Sequence, residues 1–130
     1  MYGTLGFDAV VECLIDRVPA GRTVTAPGWR AARLPDRPYP GLVADDTAAA
    51  PGQLFTDLRE EEWATLDAFE DPTYTLITVD LSTGRRGLAY VWPDRALPET
   101  WTVDSLDADG MAAYLQRVRA WRDRYDSAVR

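Results

Sequence analysis

Leu66-Asp67-Ala68-Phe69-Glu70-Asp71-Pro72-Thr73-Tyr74-Thr75-Leu76-Ile77-Thr78-Val79 changes its period in the middle, and that change decides the fold class. Upstream of it, Leu58, Trp63, Leu66 and Phe69 form an apolar stripe, and Asp57 and Glu60 stand at capping-box spacing. A helix is therefore predicted from about Leu58 to Phe69. Pro72 disfavours helical geometry at Asp71 and closes that helix. Downstream, residues 74–81 and 86–92 are rich in β-branched and aromatic side chains and flank Ser82-Thr83-Gly84, the pattern of a hairpin.

Working outward, Phe7, Val10, Val11, Leu14, Ile15 and Val18 recur at helical spacing, with Asp8 placed to favour the first turn. Pro19 and Gly21 are expected to end this helix. From Arg22 to Asp46 the breakers Pro27, Gly28, Pro35, Pro38, Pro40 and Gly41 separate short apolar pieces, which predicts short strands and loops. Thr47 to Pro51 reads as a small-residue loop and Gly52-Gln53-Leu54-Phe55 as a strand. Met111, Tyr114, Leu115, Val118, Trp121 and Tyr125 mark an amphipathic C-terminal helix. Helices at both ends, short strands between them and no regular strand-helix alternation predict an α+β fold.

The chain has 130 residues, a length that predicts one domain. It contains no histidine and one cysteine, Cys13, which excludes a Ser-His-Asp or Cys-His couple and any His-based or Cys-rich zinc site. Catalysis in such a chain runs on carboxylates, tyrosines, hydroxyls and backbone N–H groups. A net charge of −7 argues against a nucleic-acid partner, since phosphate neutralisation needs clustered cations. No apolar run approaches the ~20 residues that cross a bilayer, so no membrane partner is expected. A lone cysteine fits a reducing, cytoplasmic setting, and Cys13 itself reads as a small buried helix residue.

Two places carry candidate chemistry. In Tyr2-Gly3-Thr4-Leu5 the glycine lets backbone approach a ligand, and the N–H groups of Gly3, Thr4 and Leu5 can converge on one anionic oxygen beside a helix N-terminus. A plain strand-to-helix turn, with Gly3 only relieving strain, is the simpler account of these four residues alone. Glu70 stands at a helix C-terminus with Asp67 one turn earlier and Asp71 adjacent, and all three influences raise its pKa towards proton exchange near neutrality. Taken alone, Glu70 reads more simply as an exposed helix-end acid. Glu60, Glu61 and Glu62 read as solvated acids complementing the helix dipole. Trp29, Trp63, Trp92, Trp101 and Trp121 read as core or core-edge packing, Arg85-Arg86 as a solvated hairpin end, and Tyr39-Pro40, which could line a pocket, more simply as a turn.

In order along the chain, Tyr2-Gly3-Thr4-Leu5, Tyr39-Pro40-Gly41, Gly52-Gln53-Leu54-Phe55, Leu66-Asp67-Ala68-Phe69-Glu70 with Tyr74, and Ala89-Tyr90-Val91 resemble the γ-glutamylcyclotransferase-like superfamily, in its short bacterial AIG2-like members. The resemblance implies a small mixed β-barrel-like sheet with flanking helices. It implies a substrate-binding loop at Tyr2, Gly3, Thr4 and Leu5, a catalytic glutamate at Glu70, and Tyr74 orienting Glu70 or the substrate. The implied reaction releases 5-oxoproline and a free amine or amino acid from a small-molecule γ-glutamyl compound, with no metal and no organic cofactor. Two departures are visible: Asp71-Pro72 stands where a glycine often follows the glutamate, and Thr75 where a basic residue commonly follows the tyrosine. A non-catalytic small-molecule binding module on the same fold and a carboxylate-assisted amide hydrolase are the competing expectations.

Overall fold

The computed structural model describes residues 7–102 and 108–129. Helix α1 spans Asp8–Ile15, β1 Gly21–Ala32, β2 Gly41–Phe55, α2 Glu60–Phe69, β3 Thr75–Asp80, β4 Arg86–Val91 and α3 Ala108–Val129. The four strands form one mixed sheet in the order β1-β2-β4-β3. Neighbours pair antiparallel except β2 and β4, which meet in parallel at Leu42 and Val91. The sheet curls towards closure, because Ser82 in the β3–β4 turn donates its N–H to the Thr25 carbonyl and accepts the Thr25 N–H at its hydroxyl, linking the two edges. The fold is α+β, with a small barrel-like mixed sheet and flanking helices.

The hairpin of residues 74–92 forms as its pattern predicts, with Thr75 opposite Val91 and Asp80 opposite Arg86. The region before it differs from expectation. Residues 22–55 do not break into short pieces but make one long antiparallel pair, and Thr47 to Pro51, expected as a loop, lies inside β2 with Pro51 opposite Thr25. The breakers are absorbed locally. Pro27 and Gly28 sit at a β-bulge where the register shifts, Gly28 taking a φ of +84° that suits glycine. Pro51 lies far along β2 from its single register with β4, so its missing N–H interrupts no second ladder.

The helices share a core in which Val10, Val11, Leu14 and Ile15 of α1 meet Leu66 of α2 and Tyr114 and Val118 of α3. Burying these side chains is worth about 1.5–3 kcal/mol each. Helix α1 stops at Ile15, earlier than the apolar pattern predicts: Asp16 takes the left-handed conformation, and Val18 is exposed. Helix α2 starts at Glu60, two residues later than expected, and Glu62 rather than Glu60 closes its capping turn by accepting the Arg59 N–H at 2.9 Å. The Arg122 guanidinium locks α3 onto α1, donating to the Leu14 carbonyl, to Asp16 and to Asp126. That bond satisfies one of the carbonyls a helix end leaves open. Among the described residues no helix is long and apolar enough to cross a membrane.

Candidate active site

Glu70 is the C-cap of α2, where the backbone leaves helical geometry for an extended one while its N–H still donates to the Leu66 carbonyl. Pro72 enforces that exit. The Tyr74 N–H then donates to the Asp71 carbonyl, closing a tight corner that leads into β3. The corner forms one wall of a cavity of about 380 Å³, within the usual size range of a small-molecule site. Tyr39 and Pro40 from the β1–β2 loop, Ala89 and Tyr90 from β4, and one face of α3 complete it. The loop is drawn in tightly here. A Cβ added at Gly41 would lie 2.5 Å from the Trp92 Cβ, so only glycine admits this approach.

The carboxylates around the corner are unequally served. Asp67 accepts the Tyr90 hydroxyl at 2.7 Å. Asp71 accepts the Tyr39 hydroxyl at 2.7 Å, the Arg37 Nε at 3.1 Å and the Thr73 N–H at 2.9 Å. Glu70, half-buried between them, receives no hydrogen bond from the described residues. Desolvation without a donor disfavours its ionised form, and the charges of Asp67 and Asp71 add to this, so its carboxyl is pushed up to about 8. Burial also opposes ionisation of Asp71, yet the donors from Tyr39, Thr73 and Arg37 prevail and hold it at about 2. Adjacent acids are thus driven apart, one fixed as an anion and one able to exchange a proton.

Three phenols line the same wall. Tyr39 is pushed up to about 12 by burial and by Asp71, and Tyr90 is raised by burial and by Asp67. Both therefore stay protonated as donors. The Tyr74 hydroxyl donates to the Pro40 carbonyl, tying the α2–β3 corner to the β1–β2 loop, while its ring packs against Tyr39, Tyr90 and Trp92. On the opposite wall Trp121 meets Phe69 edge to face at 5.2 Å.

Glu70 and Tyr74 therefore lie on one cavity. Tyr2, Gly3, Thr4 and Leu5 lie outside the described residues. Tyr39-Pro40, read as a turn, also lines the cavity, and Trp121, read as packing, does so as well. The contributions of Tyr114, Arg117, Val118 and Arg124 were not legible in sequence, because an amphipathic helix reveals which face is apolar but not what that face covers. Glu62 is a correction of another kind. Read as solvated, it is buried at 6% exposure and accepts the Arg17 Nε and Nη2 at 2.6 Å each. Those hydrogen bonds, with the Arg59 N–H, lower its carboxyl to about 2.

Comparison with known proteins agrees with this architecture. The family model described as gamma-glutamyl cyclotransferase, AIG2-like, matches residues 1–109. AIG2-like protein C of Arabidopsis thaliana is 31% identical over 106 residues, covering 78% of this chain and 62% of the relative. AIG2-like protein D of the same plant is 24% identical over 132 residues, covering 95% of this chain and 87% of the relative. The chain thus spans less than two thirds of the first of these proteins. Two solution structures of Arabidopsis thaliana proteins superpose with TM-scores of 0.64, at 20% identity over 97% of this chain and 81% of that one, and at 21% over 100% and 91%. At those identities the superpositions bear on the fold alone. With a family match over most of its length and a matching architecture, the chain belongs to the AIG2-like gamma-glutamyl cyclotransferase family.

Proposed function

We propose that the protein is a cyclotransferase that converts a γ-glutamyl amine, peptide or protected metabolite to 5-oxoproline and a free amine, with Glu70 as the proton carrier. The observation that carries this reading is a half-buried carboxyl without a donor among the described residues, raised to about 8, on a cavity of about 380 Å³. In the reaction the α-amine of the γ-glutamyl group attacks the carbonyl carbon of its own side chain. The new C–N bond closes a five-membered lactam and the bond to the leaving nitrogen breaks. The ionised Glu70 takes a proton from the attacking nitrogen and returns it to the leaving one, so a single carboxyl serves as base and then acid.

Because attack is intramolecular, the protein's main task is to hold the substrate folded, for which effective molarities reach about 10⁵ M or more. The backbone N–H groups of Gly3, Thr4 and Leu5 would bind the glutamyl end and its developing oxyanion. Tyr74 would serve the site by fixing the corner on which Glu70 sits. No step calls for a metal or organic cofactor. Incubation with a panel of γ-glutamyl amines and dipeptides tests the proposal. Release of 5-oxoproline by the protein, lost in Glu70→Gln, is expected; release of free glutamate instead would point to a hydrolase, and turnover retained by Glu70→Gln would remove Glu70 from its role.

A further inference from the structure

A second, smaller cavity of about 170 Å³ lies where β1 begins and β2 ends, lined by Ala20, Gly21, Arg22, Leu54, Thr56 and Arg85. It shares no lining residue with the cavity beside Glu70. Gly21 pairs with Phe55 at one end of the β1–β2 ladder, whereas Pro40, next to the other end, lines the larger cavity. Three separate segments meet at the smaller one: the start of β1, the exit of β2 and the turn before β4. The charged side chains they bring are two arginines and no acid. In a chain of net charge −7 this is a local reversal of sign, and such a concavity attracts anions. The acids nearest in sequence are occupied elsewhere. Asp57, next to Thr56, faces Arg17 at 3.3 Å, and Asp80 faces Arg86 at 3.2 Å. Among the described residues the side chains of Arg22 and Arg85 have no ion-pair or hydrogen-bond partner, and the Thr56 hydroxyl and N–H have none either.

We propose that Arg22, Arg85 and Thr56 form a phosphate-binding site, separate from the Glu70 cavity, that takes inorganic phosphate or the terminal phosphate of a small monoester. Each guanidinium fork can give a phosphate two parallel hydrogen bonds. Two forks from different segments, with a hydroxyl and an N–H from a third, serve oxygens that point in several directions. A tetrahedral anion offers such oxygens, whereas a planar carboxylate has two and is filled by one fork. Size agrees with this choice. The cavity is smaller than the roughly 300–1,000 Å³ of a drug-sized site, yet it has room for one phosphate group. Leu54, half-buried, supplies an apolar wall that keeps water from one side and so strengthens the charge pairing. Arg22 and Arg85 are exposed at its rim, so an ester chain can leave towards solvent. None of this depends on the role given to Glu70.

Backbone amide shifts followed by NMR at low salt, during titration with inorganic phosphate, methyl phosphate and acetate, test it. Phosphate is expected to give saturable shifts centred on Gly21, Arg22, Thr56 and Arg85, at millimolar affinity and weakening as salt rises. Acetate, which engages one guanidinium, should bind about fivefold more weakly or worse. Arg22→Gln and Arg85→Gln should each weaken phosphate binding by about fivefold, as the loss of one exposed charge pair allows. The double glutamine variant should abolish saturation, and lysine at both positions should restore part of the affinity through charge without the fork. Methyl phosphate binding as tightly as inorganic phosphate supports the site as one for monoesters, and binding of inorganic phosphate alone supports it as one for the free ion. Four results overturn the proposal: no saturable shift with phosphate, shifts centred on other arginines, acetate binding as tightly as phosphate, or an affinity unchanged in the double variant. Both arginines are exposed, so these variants are expected to fold; should the double variant not do so, the single variants decide by the same fivefold loss.

Discussion

Glu62 and Glu70 lie at opposite ends of one ten-residue helix, yet the first carboxyl is held at about 2 and the second pushed up to about 8. Glu62 sits in the first turn, where the helix dipole favours an anion, and is gripped by the Arg17 fork and the Arg59 N–H. Glu70 sits at the other pole, half-buried, beside two acids whose donors have already been claimed. Identical side chains thus acquire opposite tasks from their surroundings. One fastens α2 to the segment after α1, and the other is left able to exchange a proton near neutral pH.

The largest expected difference between them is in turnover. Glu70→Gln should lower kcat for 5-oxoproline release by about 10²–10⁴-fold, whereas Glu62→Gln should leave kcat of the folded protein nearly unchanged. Comparable losses in both variants would erase the distinction. Stability should separate the pair in the reverse sense. The folded state binds a proton at Glu70 more tightly than the unfolded chain does, so what this group contributes is present below pH 4.5 and lost as pH rises through about 8. Glu70→Gln is therefore expected to stabilise the protein at pH 9 by about 3 kcal/mol, with little effect at pH 4. Glu62 has the opposite sign: its contribution is present above pH 4.5 and lost as pH falls through about 2. Glu62→Gln should cost about 2 kcal/mol at pH 7, read from urea denaturation.

The smallest effect expected is on the pH profile. The ascending limb of kcat/KM should lie near pH 8, where the base of the free protein ionises. Asp67→Asn removes one of the charges that raise Glu70, and the limb should move down by a fraction of a unit. A limb that stayed in place would mean that the Asp67 charge has no part in raising Glu70.

How much of this was legible in sequence depended on the range of the interaction. The change of period at Glu70, the hairpin after it and the three helices follow from local spacing, and all are present. The Glu70 environment was partly legible because Asp67, Asp71 and the helix end are its sequence neighbours. Glu62 was misjudged because its partner Arg17 lies 45 residues away, and nothing in a run of three glutamates shows which one turns inward. The length of β1 and β2 was also misjudged. Pro27, Gly28 and Pro51 are breakers by propensity, but a bulge and a sparsely paired edge of β2 accommodate them. The α3 wall of the cavity depends on how that helix docks, which the Arg122 anchor to α1 fixes through contacts more than 100 residues apart in sequence.

Both glutamates can be followed in one experiment. Side-chain carboxyl carbons, observed by ¹³C NMR from pH 2 to pH 10 and assigned with the Glu70→Gln and Glu62→Gln variants, report each ionisation directly. The account predicts that Glu70 titrates near 8 while Glu62 is still ionised down to about 2. Titration of Glu70 near 4.5, the ordinary glutamate value, would contradict it.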